Sequence, residues 1–261
     1  MIKLSDRLQK IADRIEPSKT MADIGTDHGF LPVYLLQRGI CERAVAADIS
    51  APSLEKAVQC GNEGLPAGCG DGAFQTRVGN GLSVLEFGEV EAVVIAGMGG
   101  RLICDIMEAD LQHTCSFSRF VLQPRSGQGI LRKWLVENGF RIIGEDVVKE
   151  GRFLPEIITA LSPDARQGSD APALTEQAGQ ELAVRMQKCD GEDICWKVPP
   201  WMTAAEGRVL DFLQRNLQRE ERVLQQVRMA RKSDLVLEQR LCNNIAYLTD
   251  LKKEYQEHGT K

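Results

Sequence analysis

Met21-Ala22-Asp23-Ile24-Gly25-Thr26-Asp27-His28-Gly29 is the stretch on which the fold turns. A short apolar run, 21–25, passes into a glycine-bounded turn, and an apolar helical pattern follows at about 31–38. The same grammar repeats. Apolar runs at 44–49, 92–97 and 120–123 are followed by helical patterns at about 52–60, 101–109 and 128–138, the last stopped by Asn138-Gly139. Continuous rather than alternating apolar strands predict a sheet covered on both faces, and the strand–helix order predicts right-handed parallel crossovers. The expected fold class is α/β, doubly wound.

Working outward, Leu4, Leu8, Ile11 and Ile15 recur at helical spacing around Ser5, a side chain suited to an N-cap, and predict a helix over 5–15 that ends before Pro17. Downstream, 140–149 and 153–161 are strand-like runs joined by Glu150-Gly151-Arg152, which predicts a hairpin. A parallel sheet finishing in an antiparallel hairpin is the layout class I methyltransferases share, whereas dinucleotide-binding domains stay parallel; by fold-level analogy it favours a methyl donor over NAD. From 162 to 202, prolines and glycines punctuate one helix-like stretch at about 174–188 and predict a linker or insertion. Thr203-Ala204-Ala205-Glu206 then reads as a capping box, with Leu210, Leu213, Leu217, Leu224 and Val227 at heptad spacing. Ser233 reads as the cap of a second helix carrying Leu237, Leu241, Leu248, Leu251 and Tyr255. The expected domains are therefore 1–161, a linker or insertion at 162–202, and a C-terminal antiparallel helical (coiled-coil) hairpin at 203–258. Glu220 and Asn244 fall on its seams and read as register control.

Composition bounds the function. With 261 residues, 43% hydrophobic and 26% charged, the chain can bury a core and carry an appendage. No stretch approaches the roughly 18 uninterrupted apolar residues of a membrane helix, and the first residues lack a signal-peptide core, so a cytoplasmic location without membrane contact is expected. Eight cysteines without a C-x-x-C pair and three scattered histidines argue against a metal site. The net charge of -5 opposes a surface coated in phosphate-binding groups, yet beyond about residue 200 the chain leans basic, with arginines at 208, 215, 219, 222, 228, 231 and 240.

The chemistry gathers at strand ends. In the dinucleotide fingerprint G-x-G-x-x-G the middle glycine lets the backbone approach a pyrophosphate; here Asp27 stands there, and an anion would face a carboxylate. S-adenosylmethionine has an ammonium, a sulfonium and no phosphate, which suits Asp23 and Asp27; a purely structural acidic turn is the competing reading. Asp48, in Ala46-Ala47-Asp48-Ile49-Ser50, lies about 20 residues beyond the first loop, where a carboxylate accepts both ribose hydroxyls; helix capping is its other role. Asn80 in Val78-Gly79-Asn80-Gly81 can accept from an adenine amine, against an ordinary Asn-Gly turn. Ile95-Ala96-Gly97-Met98-Gly99-Gly100-Arg101 places three glycines by a buried strand end, so something planar approaches the backbone there, or the loop needs glycine conformations. Leu122-Gln123-Pro124-Arg125 adds an arginine to the same rim, while Trp134 and Leu135 read as core.

Together with Lys3-Leu4-Ser5, Arg7-Leu8 and Arg132 before Trp134-Leu135, these segments resemble the bacterial tRNA (adenine-22 N1)-methyltransferase family over about residues 1–160. The resemblance implies a Rossmann-like class I methyltransferase sheet, S-adenosyl-L-methionine as cofactor, N1 of adenine 22 in the tRNA D-arm as target, and a C-terminal coiled-coil domain that assists tRNA binding. It implies cofactor contacts at Asp23, Gly25, Asp27, His28, Asp48, Ile49, Asn80, Gly81, Ala96 and Gly97, catalysis around Asp27, Gly97 and Met98, and no metal. Arg7, Arg101 and Arg125 are the expected substrate contacts, with Lys3, Lys10, Arg14, Arg132 and Lys133 as further phosphate ligands. One departure is Gly79-Asn80-Gly81, where many members carry Gly-Asp-Gly.

Neutral adenine already has a lone pair on N1, so positioning dominates the expected mechanism. A carboxylate near N6 would stabilise the developing positive charge and accept a proton, and Asp27 is the candidate, with His28 orienting the methionine part of the cofactor. Adenine 22 must leave the stacked tRNA core first. The rival expectations are a methyltransferase of another RNA base or a small molecule, with the helical hairpin as dimer interface, and a non-catalytic Rossmann-like adaptor. The oligomeric state is left open.

Overall fold

The computed structural model describes residues 2–65, 72–165, 173–174, 186, 189–230 and 234–258. Strands β1 (Ser18–Ile24), β2 (Cys41–Asp48), β3 (Phe74–Val78), β4 (Ala92–Gly99) and β5 (Arg119–Ser126) pair in parallel in the order β3-β2-β1-β4-β5. Helices α1 (Asp6–Asp13), α2 (Phe30–Gln37), α3 (Ala51–Gly64), α4 (Gly100–Glu108), α5 (Leu111–Cys115) and α6 (Gln128–Glu137) precede or connect them. Successive strand residues point to opposite faces, and both faces are apolar: Ala22, Ile24, Val93, Ile95 and Leu122 enter one core cluster, Met21, Ala92, Val94 and Val121 the other. That is why the runs read as continuous rather than alternating. Ser5 caps α1 as expected, its hydroxyl accepting from the Leu8 amide at 3.4 Å.

The hairpin strands β6 (Arg141–Val147) and β7 (Glu156–Leu161) extend the sheet, with β7 lying between β5 and β6 and antiparallel to both. Consequently β6 runs parallel to β1–β5, and the turn after it opens at the edge where those strands end. A two-residue strand β8 (Glu206–Gly207) pairs in parallel with Asp146 and Val147 of β6, covering an otherwise open edge. The expected capping box at 203–206 is not formed. Thr203 donates to the Pro200 carbonyl at 3.2 Å, and the Glu206 carboxylate instead meets Arg14 at 2.8 Å and Lys10 at 3.5 Å.

Residues 189–204 add to the core on one face of the sheet. Trp196 of the short helix α7 (Ile194–Lys197) and Trp201 are buried in the main core cluster, ring centroids 6.2 Å apart. Beneath them lies a charged knot. Arg132 of α6 is fully buried and donates to Glu145 and Glu156, both at 2.6 Å, and to the carbonyls of Trp196 and Lys197, while the Trp201 indole donates to Glu145 at 2.7 Å. Arg132 is thus no phosphate ligand: helical phase turns it toward the sheet, where two carboxylates satisfy it. Burial pushes the Glu156 carboxyl up to about 7 against the pull of Arg132. The helix-like stretch at 174–188 falls largely outside the described residues, although Leu174 and Met186 are buried.

Helices α8 (Val209–Met229) and α9 (Leu235–His258) pack antiparallel, since Asn244 donates to Glu220 at 2.8 Å and Arg228 to Glu238 at 2.7 Å. The polar seam pair is the expected register contact. Leu213, Leu217, Leu224, Leu248 and Leu251 are buried between or beneath them, but Leu210 is 39% exposed and Val209 and Phe212 take its place. The cap of α9 is Asp234, accepting from the Leu237 amide at 2.9 Å; Ser233 lies outside the described residues. Among the described residues no helix is long and apolar enough to cross a membrane.

Candidate active site

Parallel strand ends converge on one rim. The Asp23 carboxylate, 6% exposed at the end of β1, accepts from the Thr26 hydroxyl at 2.8 Å. Burial pushes it up to about 6, opposed by that hydrogen bond and by the charge of Arg7. The following turn is tied to β2, for the Gly25 and Thr26 amides donate to the Ala47 carbonyl at 2.8 and 3.1 Å. Asp27 is the one non-glycine among the described residues in the left-handed region, at φ 52°. Such backbone is sparsely populated and persists where its surroundings hold it. Here the Asp27 amide donates to Asp48 at 3.3 Å, one carboxylate oxygen lies 2.7 Å from Nδ1 of His28, and the other is 3.9 Å from Lys56. The His28 ring stacks on Phe30 at 5.3 Å.

Asp48 takes a backbone amide on each oxygen, that of Ser50 at 2.8 Å and that of Asp27. The cap of α3 falls instead to Ser50, whose hydroxyl accepts from the Ser53 amide at 3.4 Å. Beside Asp48, Ile49 is 73% exposed, and Val78, in register with Asp48 across β2 and β3, is 62% exposed. Two apolar side chains thus stand exposed beside the Asp48 carboxylate. In the sequence Val78 only leads into the Asn80 turn; its place beside Asp48 is fixed by register across the sheet. The Asn80 side chain is exposed, and the Asn80 backbone carbonyl accepts from the Ser83 hydroxyl at 2.8 Å at the start of the 3-10 turn Gly81–Val84.

The glycine loop after β4 divides in two. A Cβ on Gly100 would strike the Gly127 carbonyl at 2.3 Å, so that glycine serves the close approach of two loops. Gly97, at φ +78°, has open space where a Cβ would stand, and the Met98 methyl lies against Gly25. Ala96 and Gly97 therefore border an opening, and Met98 closes it toward β1. Arg101 and Arg125 are exposed at the ends of β4 and β5. Arg7 is engaged, donating to the buried Gln123 at 3.0 Å and to Glu150 at 3.2 Å. Lys10 and Arg14 are engaged too: Arg14 grips the fully buried Asp146 with two 2.7 Å hydrogen bonds. Among the described residues no group of three or more His, Cys, Asp or Glu is placed to hold a metal ion.

The rim suits a cationic, ribose-bearing cofactor: acids at the ends of β1 and β2, exposed apolar side chains at Ile49 and Val78, and an open backbone at Gly97. Residues 4–158 match the model of a family described as a methyltransferase domain. Over 175 residues the chain is 34% identical to tRNA (adenine(22)-N(1))-methyltransferase of Bacillus subtilis (strain 168), covering 67% of this chain and 71% of that one. It belongs to this methyltransferase family. The crystal structure of the Bacillus subtilis M1A22 tRNA methyltransferase TrmK superposes at a TM-score of 0.70 and 27% identity, covering 98% of this chain and 99% of that one. M. capricolum TrmK, solved with S-adenosyl-homocysteine, is 22% identical with a TM-score of 0.70 over 97% and 99%, and shares the fold. The methyltransferase match runs from α1 into β7 and so takes in every strand end of the rim.

Proposed function

We propose that this chain transfers the methyl group of S-adenosyl-L-methionine to N1 of adenine 22 in tRNA. The observation that carries the reading is the convergence of Asp23, Asp27 and Asp48 on one rim beside the opening at Gly97, in a chain of this family. When bound, the cofactor supplies an electrophilic methyl group on a sulfonium. Asp23 and Asp27, with Gly25 and His28, face its cationic end; Asp48 accepts the ribose hydroxyls; Ile49 and Val78 hold the adenine ring, with Asn80 and Gly81 at its edge. Ala96, Gly97 and Met98 shape the site of the target base, whose edge approaches the backbone where Gly97 leaves space. Holding N1 in a near-attack arrangement supplies most of the acceleration. Asp27 stabilises the positive charge that develops on the base and takes the N6 proton, while His28, whose Nδ1 lies 2.7 Å from its carboxylate, fixes its orientation. Arg101 and Arg125 meet phosphates, and Arg7 acts by positioning Gln123 and the β6–β7 turn.

A tRNA substrate supports a cytoplasmic location. We take 1–161 as the catalytic unit, 203–258 as the appended helical pair and 162–202 as the insertion that seats it. Incubation with labelled S-adenosyl-L-methionine and unmodified tRNA should give 1-methyladenine at position 22. Transfer to small acceptors without tRNA would favour the small-molecule reading, and no transfer at all the adaptor.

A further inference from the structure

We propose that the groove between the β6–β7 turn and helix α8 binds the phosphodiester backbone of the RNA strand leading to the active site, with Phe153 as the platform on which an unpaired base stacks. This rests on the tRNA reading above. Because β6 is parallel to β1–β5, the turn after Val147 opens at the same edge as Asp23, Asp48 and Gly97. Arg7 fastens it there, bridging Glu150 of the turn to Gln123 of β5. The other wall is α8, brought alongside where the Arg208 amide donates to the Val147 carbonyl at 2.7 Å.

Lys149, Leu154, Asp211, Gln214 and Arg215 line the groove. Its one carboxylate is neutralised, for Asp211 pairs with Arg208 at 2.5 Å. Lys149 and Arg215 are exposed and make no ion pair among the described residues, so the groove presents net positive charge. At its lip Phe153 is 59% exposed, with the Arg152 guanidinium 5.0 Å from its ring centroid. The ring is not on a loose loop: reciprocal backbone hydrogen bonds between Glu150 and Phe153, at 3.1 and 2.9 Å, close the turn. A rigid exposed aromatic beside unpaired cations is what single-stranded nucleic acid uses, stacking on the ring and placing phosphates on the charges. An acidic peptide would also meet Lys149 and Arg215, but would have no use for a groove that opens onto the rim where a flipped base must enter.

The test is tRNA binding by the full chain with S-adenosyl-L-methionine present, across a salt series. Lys149→Glu/Arg215→Glu should weaken tRNA binding at least tenfold, and Lys149→Gln/Arg215→Gln should do so less while flattening the salt slope by about 1 to 2, the change for losing one or two phosphate contacts. Phe153→Ala should weaken it about tenfold, with Phe153→Trp near the parent. Calorimetric affinity for S-adenosyl-L-methionine, unchanged in all four, reports an intact fold. Parental tRNA affinity and salt slope in the glutamine variant would overturn the groove, as would an acidic peptide whose binding, rather than that of tRNA, is lost in that variant. If the parent protein itself neither binds nor methylates tRNA, the functional reading fails instead, so the two failures are distinct.

Discussion

Two clusters of charged groups sit on this sheet and differ in one respect. Around Arg132 every charge has an opposite partner and every donor an acceptor, and the cluster is sealed under Trp196 and Trp201. Around Asp23, Asp27 and Asp48 three acids gather at strand ends, one of them buried, one on left-handed backbone, answered by the Thr26 hydroxyl, backbone amides, His28, Lys56 at 3.9 Å and the field of Arg7, which itself bonds Gln123 and Glu150. A cluster whose groups are all bonded to one another and buried holds elements together, whereas an open one has interaction left for a cationic ligand. Charge excess at an open end, rather than charge as such, marks the site.

The largest effect is expected at the buried knot. Arg132→Met strands Glu145 and Glu156 without a counter-charge and should cost about 3–5 kcal/mol of stability, read from urea unfolding at neutral pH. The Glu156 carboxyl is already pushed up to about 7, so the folded state holds its proton more tightly than the unfolded chain. Stability from that group is present below the ordinary carboxylate range and lost as the pH rises through about 7, so acidification should restore part of the deficit. A variant as stable as the parent would remove the distinction between the clusters.

At the rim the effects should fall on function and leave folding alone. Asp27→Asn keeps shape but removes the charge and the proton acceptor, and should lower kcat about a hundredfold in single-turnover methylation. A parental rate would reduce Asp27 to a turn residue. Asp48→Ala should weaken S-adenosyl-L-methionine binding by about 1–3 kcal/mol, the scale for hydrogen bonds to a charged group; calorimetry showing parental affinity would leave Asp48 as a tie between the two loops. The smallest effect sharpens the comparison. With Asp23 at about 6 in the free protein, a cationic ligand binds its ionised form, so affinity should rise with pH through 6 and be about tenfold weaker at pH 5 than at pH 7, by the 1.36 kcal/mol of one pK unit. A flat profile would mean that Asp23 does not feel the cofactor's charge.

What the sequence disclosed and what it hid follow one physical rule. Strands β1, β2, β4 and β5 were legible because a sheet covered on both faces needs continuous apolar runs, β6 and β7 as strand-like runs joined by a short turn, and the acids of the rim because they follow the first runs directly; β3, with Gln75, Thr76 and Arg77 in its middle, gives no such run. Pairings set by tertiary register were not. Arg132 looks solvated until β6 and β7 bring Glu145 and Glu156 beneath it. Glu206 looks like a capping-box acid until Arg14 reaches it, and Arg7 like a free cation until Gln123 and Glu150 do. Val78 joins the site through its register with Asp48 alone.

The clasp at Arg14 also carries a schedule. Its Asp146 partner lies 132 residues further along, and Glu206, on β8, later still. On a ribosome adding roughly 5–20 residues per second, α1 waits on the order of ten seconds or more for its counter-charge. The apolar side of α1 can settle on β1 and α2 long before that. The basic side stays unanswered until the β6–β7 hairpin has formed and the segment leading into α8 has emerged. The first helix made is therefore among the last to be locked, and the event that locks it also anchors the base of the helical pair.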